Sequence, residues 1–118
     1  MKGTKEIEME NAINKLFEAI ADDYLQRSIR SEYYDSNAVK EFRENLTVEE
    51  GRKYLKIVKT LGTQELVWGF IVKKDDKKFR AGDILKAASW AAPARNKPRG
   101  NILEGDFSWV RWTGPEYL

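Results

Sequence analysis

Three cations stand at alternate positions in one stretch of this sequence. They are Arg95, Lys97 and Arg99, with no acid between them, inside Ala91-Ala92-Pro93-Ala94-Arg95-Asn96-Lys97-Pro98-Arg99-Gly100-Asn101. In an extended chain, residues two apart point the same way. Such a row can follow successive phosphates. Asn96 and Asn101 add amide groups that can hydrogen-bond a base or a sugar. Trp90 precedes the stretch, and Trp109 and Trp112 follow it, as aromatic platforms on which bases can stack. The same features have a plainer reading. Exposed loops carry Lys and Arg for solubility, and tryptophans in a small domain usually build the core or an interface.

Other chemistry is narrowed by what the chain lacks. It has no cysteine and no histidine. Disulfides, thiolate metal sites and thiol catalysis are excluded, as are serine–histidine and cysteine–histidine pairs. A metal site would have to be built from carboxylates, which suit magnesium, manganese or calcium. Glu104 and Asp106, beside the basic stretch, are the best such pair, but Glu-Gly-Asp is also an ordinary turn composition. No metal ligand, catalytic residue or cofactor is assigned. Lys73, Lys74, Lys77, Lys78 and Arg80 form a second basic cluster. Asp75 and Asp76 interrupt it, and it reads as a solvated hairpin tip.

Charge is unevenly distributed. Residues 1–50 hold 7 basic and 12 acidic side chains, a net of −5, whereas residues 51–118 hold 14 and 7, a net of +7. The second half is therefore the place to expect an anionic partner, unless the two halves simply pack against each other. At 118 residues, 42% hydrophobic and 34% charged, the chain suits a single globular domain over 1–118, with a helical half (1–50) and a sheet half (51–118). No apolar run approaches the ~20 residues that span a bilayer, and the start has no apolar signal core. No membrane partner and a cytoplasmic location are expected.

The elements that must position the loop read as follows. Residues 5–28 carry Ala12, Ile13, Leu16, Phe17, Ile20, Ala21 and Tyr24 at three- and four-residue steps, the pattern of an amphipathic helix. Thr4 is its expected N-cap. A polar connection spans Ser31 to Asp35. Residues 37–45 read as a shorter helix capped by Ser36. Thr47-Val48-Glu49-Glu50 has capping-box spacing, which Gly51 limits to one extra turn. The period then becomes two. Lys53 to Lys59 is a strand, Leu61 to Gln64 a hairpin connection, and Leu66 to Lys73 a central strand covered on both faces. Leu66, Trp68, Phe70 and Val72 should share one face, with Val67 and Ile71 on the other. Gly69 suggests a bulge or a close backbone approach. Ile84 to Ser89 is a strand or short helix, Trp90 to Gly100 a proline-restrained loop, Asn101 to Leu103 a brief strand, and Phe107 to Trp112 a last strand ended by Gly114-Pro115. The expected fold is α+β, two N-terminal helices on a mostly antiparallel sheet of about four strands.

Several phrases of the second half have a family character: Gly51-Arg52-Lys53-Tyr54, Trp68-Gly69-Phe70-Ile71-Val72, Phe79 to Leu85, Pro93-Ala94-Arg95-Asn96, Arg99-Gly100-Asn101-Ile102 and Val110 to Pro115. Over residues 50–118 the sequence resembles small uncharacterised proteins of tailed bacteriophages and marine viral sequences. The resemblance implies a viral origin and a host-cytoplasmic setting, and carries over no catalytic or binding residue.

The function expected from the residues is a small non-catalytic binding protein whose basic loop contacts nucleic acid or another phosphate-bearing ligand. The rival expectation is a structural or protein-interaction module that forms a homo-oligomer through its tryptophans. A metal-dependent phosphoryl-transfer enzyme stands third.

Overall fold

The computed structural model describes residues 4–30 and 36–115, with side chains from Ile7 onward. Helix α1 (Thr4–Ile29) and helix α2 (Ser36–Glu44) lie on one face of a five-stranded antiparallel sheet. Its strands are β1 (Thr47–Glu50), β2 (Tyr54–Leu61), β3 (Gln64–Val72), β4 (Asp83–Leu85) and β5 (Gly100–Asn101), in that spatial order. A 3-10 turn, Ile102–Glu104, follows, and then a separate two-stranded hairpin of β6 (Val110–Arg111) and β7 (Gly114–Pro115). The α+β class and the antiparallel sheet are as expected, with one strand more in the sheet. The polar connection around Ser31 to Asp35 lies outside the described residues. Thr4 opens α1 itself.

Helix α1 buries Ala12, Leu16, Phe17, Ile20 and Ala21, the stripe its spacing foretells. Tyr24 stacks on Phe42 of α2 at 4.2 Å between ring centroids, and the Trp112 ring meets Tyr24 edge-on at 5.2 Å. Asp23 accepts a hydrogen bond from the Trp112 backbone N–H at 2.8 Å. The β6–β7 hairpin is thereby fastened to the helix. On the sheet side, Trp68 Nε1 donates to the Arg111 carbonyl at 2.8 Å.

Four expectations need correction. Thr47 to Glu50 is not a helical turn. It pairs antiparallel with β2, placing Glu49 opposite Lys56, and the two side chains make an ion pair at 3.3 Å. A local cap is worth about 1 kcal/mol, and a ladder of backbone hydrogen bonds with a cross-strand ion pair outweighs it. Second, β3 does not keep strict alternation. Ile57 pairs with Gly69 and Val58 with Val67, so Trp68 is an extra residue in the strand. Each such bulge shifts parity by one. Trp68 therefore joins Ile71 in the core under the helices, while Val67 joins Phe70 and Val72 in the second core.

Third, the strand after Gly82 stops at Leu85 instead of reaching Ser89. Lys86 and Ala87 leave the sheet, and Ala87 bridges to Pro93. Fourth, Phe107 to Trp112 is mostly turn. Asp106 accepts from the Ser108 N–H at 3.0 Å, Trp109 Nε1 donates to the Asp106 carbonyl at 2.8 Å, and Gly114-Pro115 pairs back onto β6 instead of ending it.

The hairpin between β2 and β3 is as expected. Leu61 pairs with Gln64 across Gly62-Thr63, and Gly62 takes φ 63°, a left-handed conformation that glycine adopts without strain. Strand β3 lies third of five, and Trp68 to Val72 are buried. Gly69 sits at the bulge, where a Cβ would lie 3.2 Å from the Leu85 carbonyl and 3.4 Å from Pro115. That close approach lets β7 cover β3.

Candidate nucleic-acid interface

The basic loop leaves the sheet at Lys86 and returns at Gly100. Its two ends are held by the backbone. Ala94 N–H donates to the Lys86 carbonyl and Arg99 N–H to the Ile84 carbonyl, each at 2.8 Å. Between them, Ala88 and Ser89 both donate to the Ala92 carbonyl, at 3.0 and 3.1 Å. Trp90 stands at the tip of this excursion. The loop lacks regular pairing but is built into one shape, which lowers the entropy lost on gripping a ligand.

The expected site residues separate into two groups. Arg95 turns back over the sheet. Its guanidinium donates to the Tyr54 hydroxyl and, at 3.3 Å, to Asp76 Oδ2, and it lies 4.8 Å from the centre of the Phe79 ring. The bond to Tyr54, and then Asp76, raise its pKa above the ordinary arginine value. Asp76 also accepts from the Phe79 and Lys78 N–H groups, at 2.7 and 2.8 Å. These two bonds hold its carboxyl below the ordinary carboxylate range. Arg95 thus ties the loop to the turn after β3.

Asn101 and Trp109 face inward. Asn101 is 4% exposed. Its amide donates to the Ala81 carbonyl and to Asp83 Oδ1, both at 2.9 Å, and accepts from the Leu103 N–H at 2.8 Å. Trp109 covers Gly100 and packs against the main core. The fold brings neither side chain to the loop's outer surface.

Asn96, Lys97, Arg99 and Trp90 remain on the loop surface. Asn96 Oδ1 accepts from the Lys97 N–H at 2.8 Å and from Arg99 Nη2 at 3.3 Å. Arg99 Nε is buried and has no hydrogen-bond partner. Arg99 lines a recess of about 330 Å³ together with Lys86, Asn96, Trp68 and Thr113. Among the described residues, no carboxylate lines it. Beside it, Lys59 is 6% exposed and donates to the Trp112 and Thr113 carbonyls at 3.3 and 3.0 Å. Burial, and then the positive charge of Lys86, lower the Lys59 pKa below its ordinary value. A buried cation costs free energy unless it finds partners, and the Trp112 and Thr113 carbonyls supply them for Lys59.

The parallel with known families is narrow. Residues 1–115 match DUF7717, described as a family of unknown function. The chain belongs to this family. No curated protein and no solved structure matches it. The DUF7717 match runs through both the helical and the sheet half, so α1 and α2 belong to the same family unit as the loop.

Elsewhere in this DUF7717 member, acids and bases are largely used against each other. Glu104 pairs with Arg80 at 2.5 Å, and Asp106 holds the Ser108 hydroxyl and N–H. Lys73 pairs with Glu50 at 3.2 Å. Among the described residues, no three carboxylates are grouped to hold a metal ion. No helix among them is long and apolar enough to cross a membrane. Sequence reasoning missed Lys59 and Lys86. The available signal was parity, because Lys59 shares the inward side of β2 with Leu55 and Ile57.

Proposed function

We propose that this chain is a small non-catalytic nucleic-acid-binding protein that seats a phosphate in the recess between the basic loop and the turn of the β6–β7 hairpin. The observation that carries this reading is the buried, unpartnered Nε of Arg99, in a side chain that lines, with Lys86, a recess where no described residue brings a carboxylate. Arginine suits phosphate because its donors lie in a fixed fork, and an anion seated beside the guanidinium offsets the cost of burying part of its charge. Thr113 and Asn96 line the same recess and bring polar groups for the remaining oxygens. Lys97, exposed on the same loop, supports contact with a neighbouring phosphate.

The test is oligonucleotide binding across a salt series, for the wild type and for Lys86→Ala combined with Arg99→Ala. Each phosphate contact adds about 0.7 to the log–log salt slope for a single strand. The recess holds one phosphate, so the double variant should lose affinity and about 0.7 of that slope. Lys74→Ala, in the charged turn outside the recess, controls for net charge. Equal affinities and slopes for wild type and double variant reject the reading.

Self-association is a second reading. Among the described residues no strand pairs with the outer edge of β1, all four residues of β1 are exposed, and Val48 lies among them. An open edge is a template for another strand. A single monomeric species at high micromolar concentration in sedimentation rejects it.

A further inference from the structure

We infer that the ligand of this site is single-stranded, with one phosphate in the recess at Arg99 and a neighbouring base laid on Trp90. The inference rests on the phosphate reading above and adds what the rest of the ligand must be.

A second recess, of about 540 Å³, opens on the other part of the loop. Trp90, Tyr54 and Phe70 give it an aromatic lining, with Glu49 and Glu50 set beside the cations Arg52, Lys53 and Lys56. The loop contributes to both recesses. Trp90 and Ala91 line one, whereas Ala94, Asn96 and Arg99 line the other. Strand β3 runs beneath both. Val67 lines the first and Phe70 the second, and the two belong to the same core on the same side of the sheet. They are three residues apart, or roughly 10 Å along a strand. A cation-lined recess and an aromatic recess therefore neighbour each other along one loop. That order matches a polymer that alternates phosphate and base.

Trp90 is the one tryptophan of this chain that the core does not use. Trp68 is fully buried, and Trp109 and Trp112 pack against the main core. Trp90 remains 47% exposed at the loop tip. Its ring is nevertheless held in place. The Lys56 ammonium lies 4.3 Å from the ring centroid, and Glu49 holds that ammonium at 3.3 Å. A large aromatic kept in a fixed position and left open to water is a stacking surface, and base–aromatic stacking tolerates any base. A duplex keeps its bases stacked inside the helix and cannot lay one on Trp90 without extruding it. A single strand can. The carboxylates of Glu49 and Glu50 can accept from exocyclic amino groups of bases. Trp90 lines this recess and not the first, so the base goes here and the phosphate goes to Arg99.

The experiment compares a labelled single-stranded oligonucleotide with a duplex of the same length, by fluorescence anisotropy, for the wild type, Trp90→Ala, Trp90→Leu and Trp90→Phe. The wild type is expected to prefer the single strand by about tenfold or more. Trp90→Ala and Trp90→Leu should collapse that preference, and Trp90→Phe should keep most of it. Trp90→Leu preserves an apolar anchor at the tip without a π face, so its loss reports stacking and not folding. Wild-type affinity that is equal for the two ligands overturns the inference, as does single-strand preference retained in Trp90→Leu. Either result leaves the phosphate reading standing if the salt slope still falls in the Lys86→Ala, Arg99→Ala double variant. Absence of salt-dependent binding to both ligands overturns the inference and the phosphate reading together.

Discussion

Trp109 lies against Gly100 so closely that a Cβ on Gly100 would stand 2.3 Å from Trp109 Cε2. The contact places the end of the basic loop beneath an indole ring whose Nε1 is already given to the Asp106 carbonyl. Gly100→Ala should therefore displace the ring or the strand. A small-to-large change in a packed position typically costs about 1–3 kcal/mol. A chemical denaturation midpoint unchanged by Gly100→Ala would show that the ring yields freely.

Asn101 and Asp83 make a buried polar pair at 2.9 Å. Asp83 also accepts from the Arg80 N–H at 2.9 Å. Asn101→Ala removes one donor to a buried carboxylate, the donor to the Ala81 carbonyl and the acceptor for Leu103. Leaving buried groups unsatisfied costs about 1–3 kcal/mol. Denaturant titration should show a loss of this size. Because the amide faces inward, the variant's folded fraction should keep the wild-type salt slope for oligonucleotide binding.

Lys59 should make stability depend on alkaline pH. Its folded pKa is lowered from 10.5 by burial and then by Lys86. The folded protein therefore releases this proton at lower pH than the unfolded chain does. Between the two values the unfolded state binds more protons, so stability rises with pH and levels off above 10.5. Comparing urea midpoints of wild type and Lys59→Met from neutral pH to pH 10.5 isolates the effect. The wild type should gain on the variant as pH rises. Parallel curves would contradict this. An anion bound in the recess favours the charged amine and should weaken the rise.

Arg95 should matter more to the fold than to the ligand. Arg95→Ala removes the cation that holds Asp76, whose carboxylate organises the Lys78 and Phe79 amides. Hydrogen exchange at those two amides should quicken, and oligonucleotide affinity should fall less than in Arg99→Ala. Acid should loosen the same turn. The Asp76 carboxyl titrates below 3.8 in the fold, so its contribution is present above 3.8 and is lost as pH falls through the lower folded value. Exchange at Phe79 that is unchanged by Arg95→Ala would place the anchor elsewhere.

Much of the architecture was legible because it is periodic. The stripe from Ala12 to Tyr24 could satisfy only a helix, and the alternation of β2 with the Gly62 turn could satisfy only a hairpin. The N-terminal limit of the basic loop at Lys86 was blurred, since Ala87 and Ala88 favour no single state. The parity of β3 failed at Trp68 because a bulge depends on the partner strand's register, which leaves no local mark beyond Gly69. Thr47 to Glu50 misled for a related reason, as a capping pattern and an edge strand can share the same four residues.

The candidate site divides along the same line. Composition and spacing alone determined that the chain lacks thiol and imidazole chemistry, that its second half is cationic, and that a proline-restrained loop begins at Trp90 and runs to Gly100. Tertiary structure decided what each cation does. Arg95, Lys97 and Arg99 look equivalent in sequence, yet Arg95 is held by Tyr54 and Asp76, Lys97 is exposed, and Arg99 has a buried Nε without a partner and lines a recess with Lys86. Charge is a property of a residue, readable from its letter. Pairing, burial and the field of a distant lysine depend on which segments the fold brings together. Lys59 and Lys86 are 27 positions apart in the chain, and only the crossing of β2, the loop and the β6–β7 hairpin sets them beside one another.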